Sequence, residues 1–147
     1  MNKDIFVALC DRLEKEVPSL RWIDEDLGQL NVGNSTRPAV DFPCCLIDIE
    51  YSGCRDLTDL CQLVDLKVTL KLAFPYQGES YGKAPEKVRE KALDRYAVVG
   101  EVHDCLQGWT ADEMFSPLSR RSGRPSVMAG GIKTYTFVYD TTFEEYQ

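Results

Sequence analysis

One stretch of the chain, residues 63–74, constrains the fold more than any other, because apolar and polar side chains alternate along it. The apolar set comprises Val64, Leu66, Val68, Leu70, Leu72 and Phe74. The intervening set includes Asp65, Lys67, Thr69 and Lys71. Successive side chains of a β-strand point to opposite faces, so this alternation predicts a half-buried strand. We therefore expect a hydrophobic core on one face of the strand and water or a partner on the other.

The composition limits the chain to one soluble globular domain. It has 147 residues, of which 44% are hydrophobic and 28% are charged, and both fractions are ordinary for such domains. We expect a single domain over residues 1–147, because this length is too short for two domains of usual size. No apolar run approaches the roughly 20 residues of a membrane span, and the first residues lack a signal-peptide pattern, so we expect a cytoplasmic protein.

The cysteines do not have the spacing of a metal site. They are Cys10, Cys44, Cys45, Cys54, Cys61 and Cys105. Zinc sites draw their ligands from pairs at short spacing, such as Cys-x2-Cys, and this sequence has no such pair. We expect the cysteines to be small buried hydrophobic residues, with neither a bound metal ion nor disulfide bonds.

Periodicity and turn residues assign the remaining elements in the order helix, strand, strand, strand, helix, strand. Helices are expected over residues 4–17 and 85–108, and strands over residues 20–24, 42–51, 63–74 and 132–143. Loops are expected over residues 31–38, 52–60, 75–84 and 115–125. This order predicts an α+β fold with a mostly antiparallel sheet and two helices packed on one of its faces.

The sequence contains no recognisable catalytic motif, such as a phosphate loop, a dinucleotide fingerprint or a nucleophile elbow. His103 lies on the apolar stripe of the second helix, so we interpret it as a partly buried histidine rather than a catalytic base. Asp48 and Glu50 would share one strand face as a paired-acid site, but a solvated face is the commoner reason for such a pair. We therefore predict no catalytic residue, no cofactor and no metal.

Arg120, Arg121 and Arg124 stand close together in a chain whose net charge is −7. Two interpretations remain open: a solvated loop, and a contact with the carboxylates of a neighbouring subunit or partner. A nucleic-acid patch is less favoured, because it needs more basic residues with aromatic residues between them. The candidate interface residues are these three arginines and the charged positions of the alternating stretch, namely Asp65, Lys67 and Lys71.

Three segments carry a resemblance to a known family. They are Phe42-Pro43-Cys44-Cys45-Leu46-Ile47-Asp48-Ile49-Glu50-Tyr51, Pro117-Leu118-Ser119-Arg120-Arg121 and Gly131-Ile132-Lys133-Thr134-Tyr135-Thr136-Phe137. With the amphipathic first helix, the alternating strand and the long second helix, they give a layout similar to the small tail-terminator, or tail-completion, proteins of long-tailed bacteriophages and derived prophages. The likeness lies in the order and character of the elements over most of the chain.

The resemblance implies a structural protein without a catalytic site. Its members form a ring, commonly hexameric, that stops polymerisation of the tail tube and meets the head connector. DNA passes through the ring without sequence-specific binding, and neither a cofactor nor a membrane is involved. The protein would then be found in the bacterial host cytoplasm during assembly, and in the virion tail of an active phage. Two alternatives remain open: another head–tail connector or neck component, and a small non-catalytic binding module.

Overall fold

The alternating segment is the central strand of a five-stranded sheet in the computed structural model, which describes residues 2–31 and 38–147. Within those residues the chain forms, in order, α1 (Lys3–Glu16), β1 (Trp22–Glu25), β2 (Cys44–Thr58), β3 (Cys61–Phe74), α2 (Glu86–Leu106), β4 (Ser119–Met128) and β5 (Ile132–Tyr146). The sheet order is β1-β2-β3-β5-β4, and only β1 and β2 are parallel. The predicted single α+β domain, with a mostly antiparallel sheet and two helices on one face, is confirmed.

Local sequence sets where the two helices begin and end. The Asn2 Oδ1 atom accepts hydrogen bonds from the backbone N–H groups of Asp4 and Ile5, at 2.9 and 3.2 Å, which satisfies donors that the start of α1 leaves free. Pro85 precedes α2, and Gly108 follows it at φ +79°, a conformation that glycine adopts at little cost. Both helices turn apolar stripes towards the sheet, which bury Ile5, Leu9 and Leu13 in α1 and Ala92, Val102, Cys105 and Leu106 in α2.

The main hydrophobic core lies between the helices and the sheet. The alternating apolar side chains of β3 are at most 1% exposed and belong to this core. Burial of such a set contributes roughly 10 kcal/mol before the loss of conformational entropy is subtracted. A smaller apolar cluster lies on the opposite face of the sheet and comprises Leu30, Val40, Cys44, Leu46 and Ala73. One end of the predicted polar face is therefore covered by the connection between β1 and β2.

The β2–β3 hairpin is longer than predicted. The sequence predicts a loop over residues 52–60, and this prediction is wrong, because β2 continues to Thr58 and only Asp59 and Leu60 separate it from β3. The register of the two strands shifts between Tyr51 and Gly53, which marks a β-bulge. Residues 54–58 of β2 are exposed, so this part of the strand has no buried face and no hydrophobic period.

The arginine-bearing segment is a strand rather than a loop. Residues 115–125 are predicted as a loop, and this is wrong from Ser119 onward, because β4 pairs with β5. Gly123 and Pro125 favour a loop in the sequence, but an edge strand tolerates both residues because only one of its sides is paired. Gly130 and Gly131 connect β4 to β5 at φ +79° and +75°, where a side chain would be strained.

The remaining predicted elements are present, with ends that differ by a few residues from the sequence assignment. Of the connection predicted over residues 31–38, residues 32–37 lie outside the described residues. Neither α1 nor α2 is both long and apolar enough to cross a membrane, and no other helix of the described residues is.

Candidate subunit interface

The predicted interface residues of β3 lie on the face of the sheet that the helices leave open. Asp65, Lys67 and Lys71 alternate with the buried side chains of β3, so they point away from α1 and α2. We call this surface, formed by the outward-pointing residues of β2, β3, β5 and β4, the helix-free face. Arg121 and Arg124 of β4 lie on the same face, according to the ion pair of Arg121 and the strand register of Arg124. The structure therefore brings all the candidates except Arg120 to one surface.

A row of alternating charge crosses the helix-free face. Lys67 of β3 has Glu50 of β2 and Asp140 of β5 as its partners in the strand register. The Lys67 Nζ atom lies 3.7 Å from Glu50 Oε2, and the Arg121 Nε atom lies 3.3 Å from Asp140 Oδ2. These side chains are about half exposed, so each ion pair adds at most about 1 kcal/mol to stability. Their charges remain accessible to a partner, and from β2 to β4 they run negative, positive, negative, positive.

Two rows further along the same face, a row carries positive charge alone. Lys71 of β3 is opposite Thr136 of β5, and Thr136 is opposite Arg124 of β4. Arg124 is exposed, and it makes no side-chain hydrogen bond or ion pair with any residue that the structure describes. The guanidinium group of Arg124 is therefore available to a carboxylate from outside the chain.

Arg120 lies on the opposite side of the sheet from the other candidates. Its guanidinium carbon is 5.4 Å from the centroid of the Phe137 ring, and its backbone N–H donates to Gln107 Oε1 at 2.9 Å. The register of β4 shifts between Arg120 and Ser122, and at this bulge Arg120 and Arg121 point to different faces. The arginines thus border both faces of β4, and Arg120 and Arg124 also line a groove of about 400 Å³ along the strand.

His103 has the environment that the sequence predicts. The ring is partly buried, and its Nδ1 atom lies 2.8 Å from the phenolic oxygen of Tyr139. Burial lowers the pKa of His103, and the nearby positive charge of Arg120 lowers it further. Burial also raises the pKa of Tyr139 to about 12. The interpretation of His103 as a partly buried histidine is confirmed.

Strand β4 leaves one edge of the sheet open. It is the last strand in the sheet order, and residues 120–127 are all exposed. No other strand of the described chain pairs with its outer side, so the outward N–H and C=O groups have no strand partner there. Proteins protect such edges with bulges, prolines and charged side chains, and β4 has its bulge, Pro125 and the arginines. The edge is thus protected from unspecific pairing and remains open to a partner of complementary charge.

Sequence reasoning missed this edge strand, although one signal for it was present. Gly130-Gly131 stands directly before the predicted strand over residues 132–143. A glycine pair at the start of a strand is typical of a hairpin, and it implies an extended segment on its other side. That segment is Ser119–Met128.

The structure shows which of the cysteines are buried. All of them are free thiols, and Cys44, Cys45, Cys61 and Cys105 are buried as expected. Cys54 of β2 is exposed, so the expectation of burial is wrong for this residue. Burial raises the pKa of Cys44 and of Cys105 to about 11, which keeps their thiols protonated and unreactive. The described residues contain no group of three or more His, Cys, Asp or Glu side chains that could hold a metal ion.

Comparison with known proteins assigns no family to the chain. The sequence matches no protein-family model, and no curated protein is similar to it at a significant level. A function can therefore be inferred only from the residues of this chain, from the resemblance in the order of its elements, and from the open edge and the helix-free face.

Proposed function

We propose that the protein is a structural subunit of a phage or prophage tail, of the tail-terminator type. In this role copies of the chain associate into a ring at the end of the tail tube, and the resemblance implies six copies. The ring stops tube polymerisation and joins the head connector. Assembly takes place in the cytoplasm of the bacterial host, and DNA passes through the ring without sequence-specific contacts. The observation that carries the proposal is the open edge of β4 beside the charged helix-free face.

An open edge strand favours self-association because it offers a row of directed backbone groups to a second chain. Strand β4 extends over Ser119–Met128, which is long enough for several backbone hydrogen bonds to a partner strand. Charges beside the edge select the partner and its orientation, since unlike charges attract it and like charges repel it. Arg121 and Arg124 supply such charges on the helix-free face, and Arg120 supplies one on the helix side.

The far end of the β2–β3 hairpin supports a contact with a different tail component. Leu57, Leu60 and Tyr146 are 46%, 63% and 71% exposed there. They lie close together, because Tyr146 pairs with Cys61 in the strand register and the backbone N–H of Gln147 donates to the Leu60 carbonyl oxygen at 2.9 Å. Exposed apolar side chains that gather at one place are typical of protein–protein contacts. The tail tube protein is the proposed partner of this apolar end.

The proposal is tested by measuring the molar mass of the purified protein with light scattering after size exclusion, over a range of concentrations. We expect a concentration-dependent assembly, and six copies of the 16.7 kDa chain would have a mass of about 100 kDa. Electron microscopy of that fraction should show rings. The measurement is repeated with the tail tube protein of the same phage or prophage added.

Two outcomes would count against this function. A monomer at every concentration, with and without the tube protein, contradicts it. Assembly on a head connector protein with no affinity for the tube would instead identify another neck component. Lys87→Glu is a suitable control variant, because Lys87 is exposed on α2, outside both β4 and the β2–β3 hairpin, and its replacement changes the net charge in the same way as a charge reversal on β4.

A further inference from the structure

We propose that the outer edge of β4 pairs with the outer edge of β1 from a second copy of the chain, so that neighbouring sheets join head to tail. This inference rests on the proposed function, because it names the partner of the β4 edge within the assembly. It is carried by the charges of the two edges and by the directions of the two strands.

The two edges of the sheet carry opposite charge. Strands β1 and β4 are the outermost strands of the sheet order. Asp24 and Glu25 belong to β1, whereas the arginines belong to β4. The Asp24 carboxylate accepts hydrogen bonds from the Glu25 N–H at 2.8 Å and from Gln29 Nε2 at 3.5 Å. No lysine or arginine of the described residues forms an ion pair with Asp24 or Glu25. The negative charge at one edge is therefore unneutralised, as is the positive charge of Arg124 at the other.

The directions of the strands allow antiparallel pairing between copies. β1 runs parallel to β2, and each further step from β2 to β3, β5 and β4 reverses the direction. Strands β1 and β4 therefore run in opposite directions. A rotation about an axis roughly along the strands preserves strand direction, so β4 of one copy meets β1 of the next in antiparallel orientation. This is the orientation in which backbone hydrogen bonds lie perpendicular to the strands.

Charge also opposes the symmetric alternative. Pairing of β4 with β4 of a second copy would bring two sets of the three arginines Arg120, Arg121 and Arg124 into one ladder, and like charges gathered at a contact oppose association. A contact between two different edges is heterologous, and repetition of a heterologous contact closes a ring or extends a filament. Head-to-tail pairing thus provides the type of contact that a ring requires.

The contact is expected to be weak on its own, because β1 comprises only Trp22–Glu25. A short antiparallel ladder forms few hydrogen bonds, and each contributes modestly once water is displaced. Closure of a ring makes the last contact intramolecular, which raises the stability of the whole assembly without any additional contact. Assembly should therefore be cooperative in protein concentration, and salt should weaken it by screening the charges.

The test uses one charge reversal at each edge, in the full chain. Arg120→Glu alters β4, and Glu25→Lys alters β1; both side chains lie on the helix side of the sheet, because Arg120 is opposite Tyr139 and Glu25 is opposite Ile47, two residues of the main core. Both side chains are exposed, and neither has an ion pair among the described residues. Each variant alone should raise the dissociation constant of the assembly by about tenfold. An equimolar mixture of the two should recover assembly, because the altered β4 of one variant complements the altered β1 of the other. The unaltered β1 of the first variant and the unaltered β4 of the second complement each other as well.

Matched controls separate this pairing from a general effect of net charge. Lys87→Glu and Glu90→Lys make the same changes in charge at exposed positions of α2, and both should assemble as the unaltered protein does. Circular dichroism should show the same secondary structure in all four variants.

The outcomes distinguish this inference from the proposed function. If the unaltered protein assembles and both edge variants assemble equally well, edge pairing is overturned while the proposed function stands. If the edge variants lose assembly and their mixture does not recover it, β4 has a partner other than β1, which again overturns the pairing. If the unaltered protein never assembles, both proposals fail.

Discussion

The Nδ1 atom of His103 lies 2.8 Å from the phenolic oxygen of Tyr139, a contact that links α2 to the centre of the sheet. Tyr139 is 1% exposed, so the pair lies at the boundary between core and solvent. Burial lowers the pKa of His103, and the charge of Arg120 adds to this effect. The neutral imidazole is therefore the form that the folded protein favours.

The lowered pKa of His103 predicts a loss of stability with falling pH. Below the ordinary histidine pKa of about 6.5, the unfolded chain takes up a proton that the folded chain does not, so the contribution of His103 is lost as the pH falls towards its folded pKa. His103 is the single histidine of the chain, so its imidazole signals in a proton NMR titration are unambiguous. We expect a midpoint below that of a histidine in a short peptide.

A matched variant isolates this effect from the titration of the carboxylates. In His103→Gln the imidazole is absent, so the stability difference between this variant and the unaltered protein should depend on pH from the ordinary histidine pKa of about 6.5 downward. The unaltered protein should lose stability relative to the variant as the pH falls below about 6.5, measured by urea unfolding. A difference that stays constant, or a titration midpoint above the ordinary value, would contradict the prediction.

Val68→Asp should unfold the domain. Val68 is 1% exposed at the centre of β3, in a core cluster that contains no lysine or arginine to pair with a carboxylate. Burial of an unpaired charge costs several kcal/mol, which is comparable with the whole stability of a small domain, about 5–15 kcal/mol. Circular dichroism and urea unfolding measure the result. Thr69→Asn is the control, because Thr69 lies next in the chain on the helix-free face, and this variant should remain folded.

Gly123→Ala should destabilise the β4 edge. A Cβ atom at residue 123 would lie 2.6 Å from Cε1 and 2.8 Å from Cδ1 of Phe137, so the ring must move away from its position under Arg120. Crowding of this kind costs about 1–3 kcal/mol. Gly100→Ala in α2 should instead raise the free energy of unfolding by about 0.5–1 kcal/mol, because a Cβ there meets no atom within 4 Å and alanine favours a helix. Equal thermal unfolding of the two variants would contradict this assignment of the Gly123–Phe137 contact.

The parts of the fold that the sequence predicts are those that bury one face. Val68 and its alternating neighbours on β3, and Ile5, Leu9 and Leu13 on α1, carry a period because every second or every third to fourth position lies in the core. Strand β4 and the outer part of β2 bury almost nothing, so their side chains are free to be polar and their glycines and proline resemble a loop. Because both faces of these segments are exposed, the segments have no hydrophobic period from which a strand could be predicted.

The candidate interface was predictable in composition but not in arrangement. The sequence singles out Arg121 and Lys67 by their charge, yet nothing local reveals that Arg121 meets Asp140 and Lys67 meets Glu50. Those pairs depend on strand register between distant segments. The bulge after Arg120 then sends two adjacent arginines to different faces, an effect that sequence periodicity does not encode.

Leu60→Asp should weaken the proposed binding to the tail tube protein without disturbing the fold or the proposed ring. Leu60 is 63% exposed in the turn between β2 and β3, so a carboxylate there remains in water and costs the folded chain little. At a contact with the tube it would be desolvated, and the dissociation constant should rise by about tenfold or more. Tyr81→Asp is the control, since Tyr81 is a comparably exposed apolar residue, 59% exposed, outside the hairpin. Binding measured by co-sedimentation with tubes should be lost in the first variant and kept in the second; equal binding would place the tube contact elsewhere on the surface.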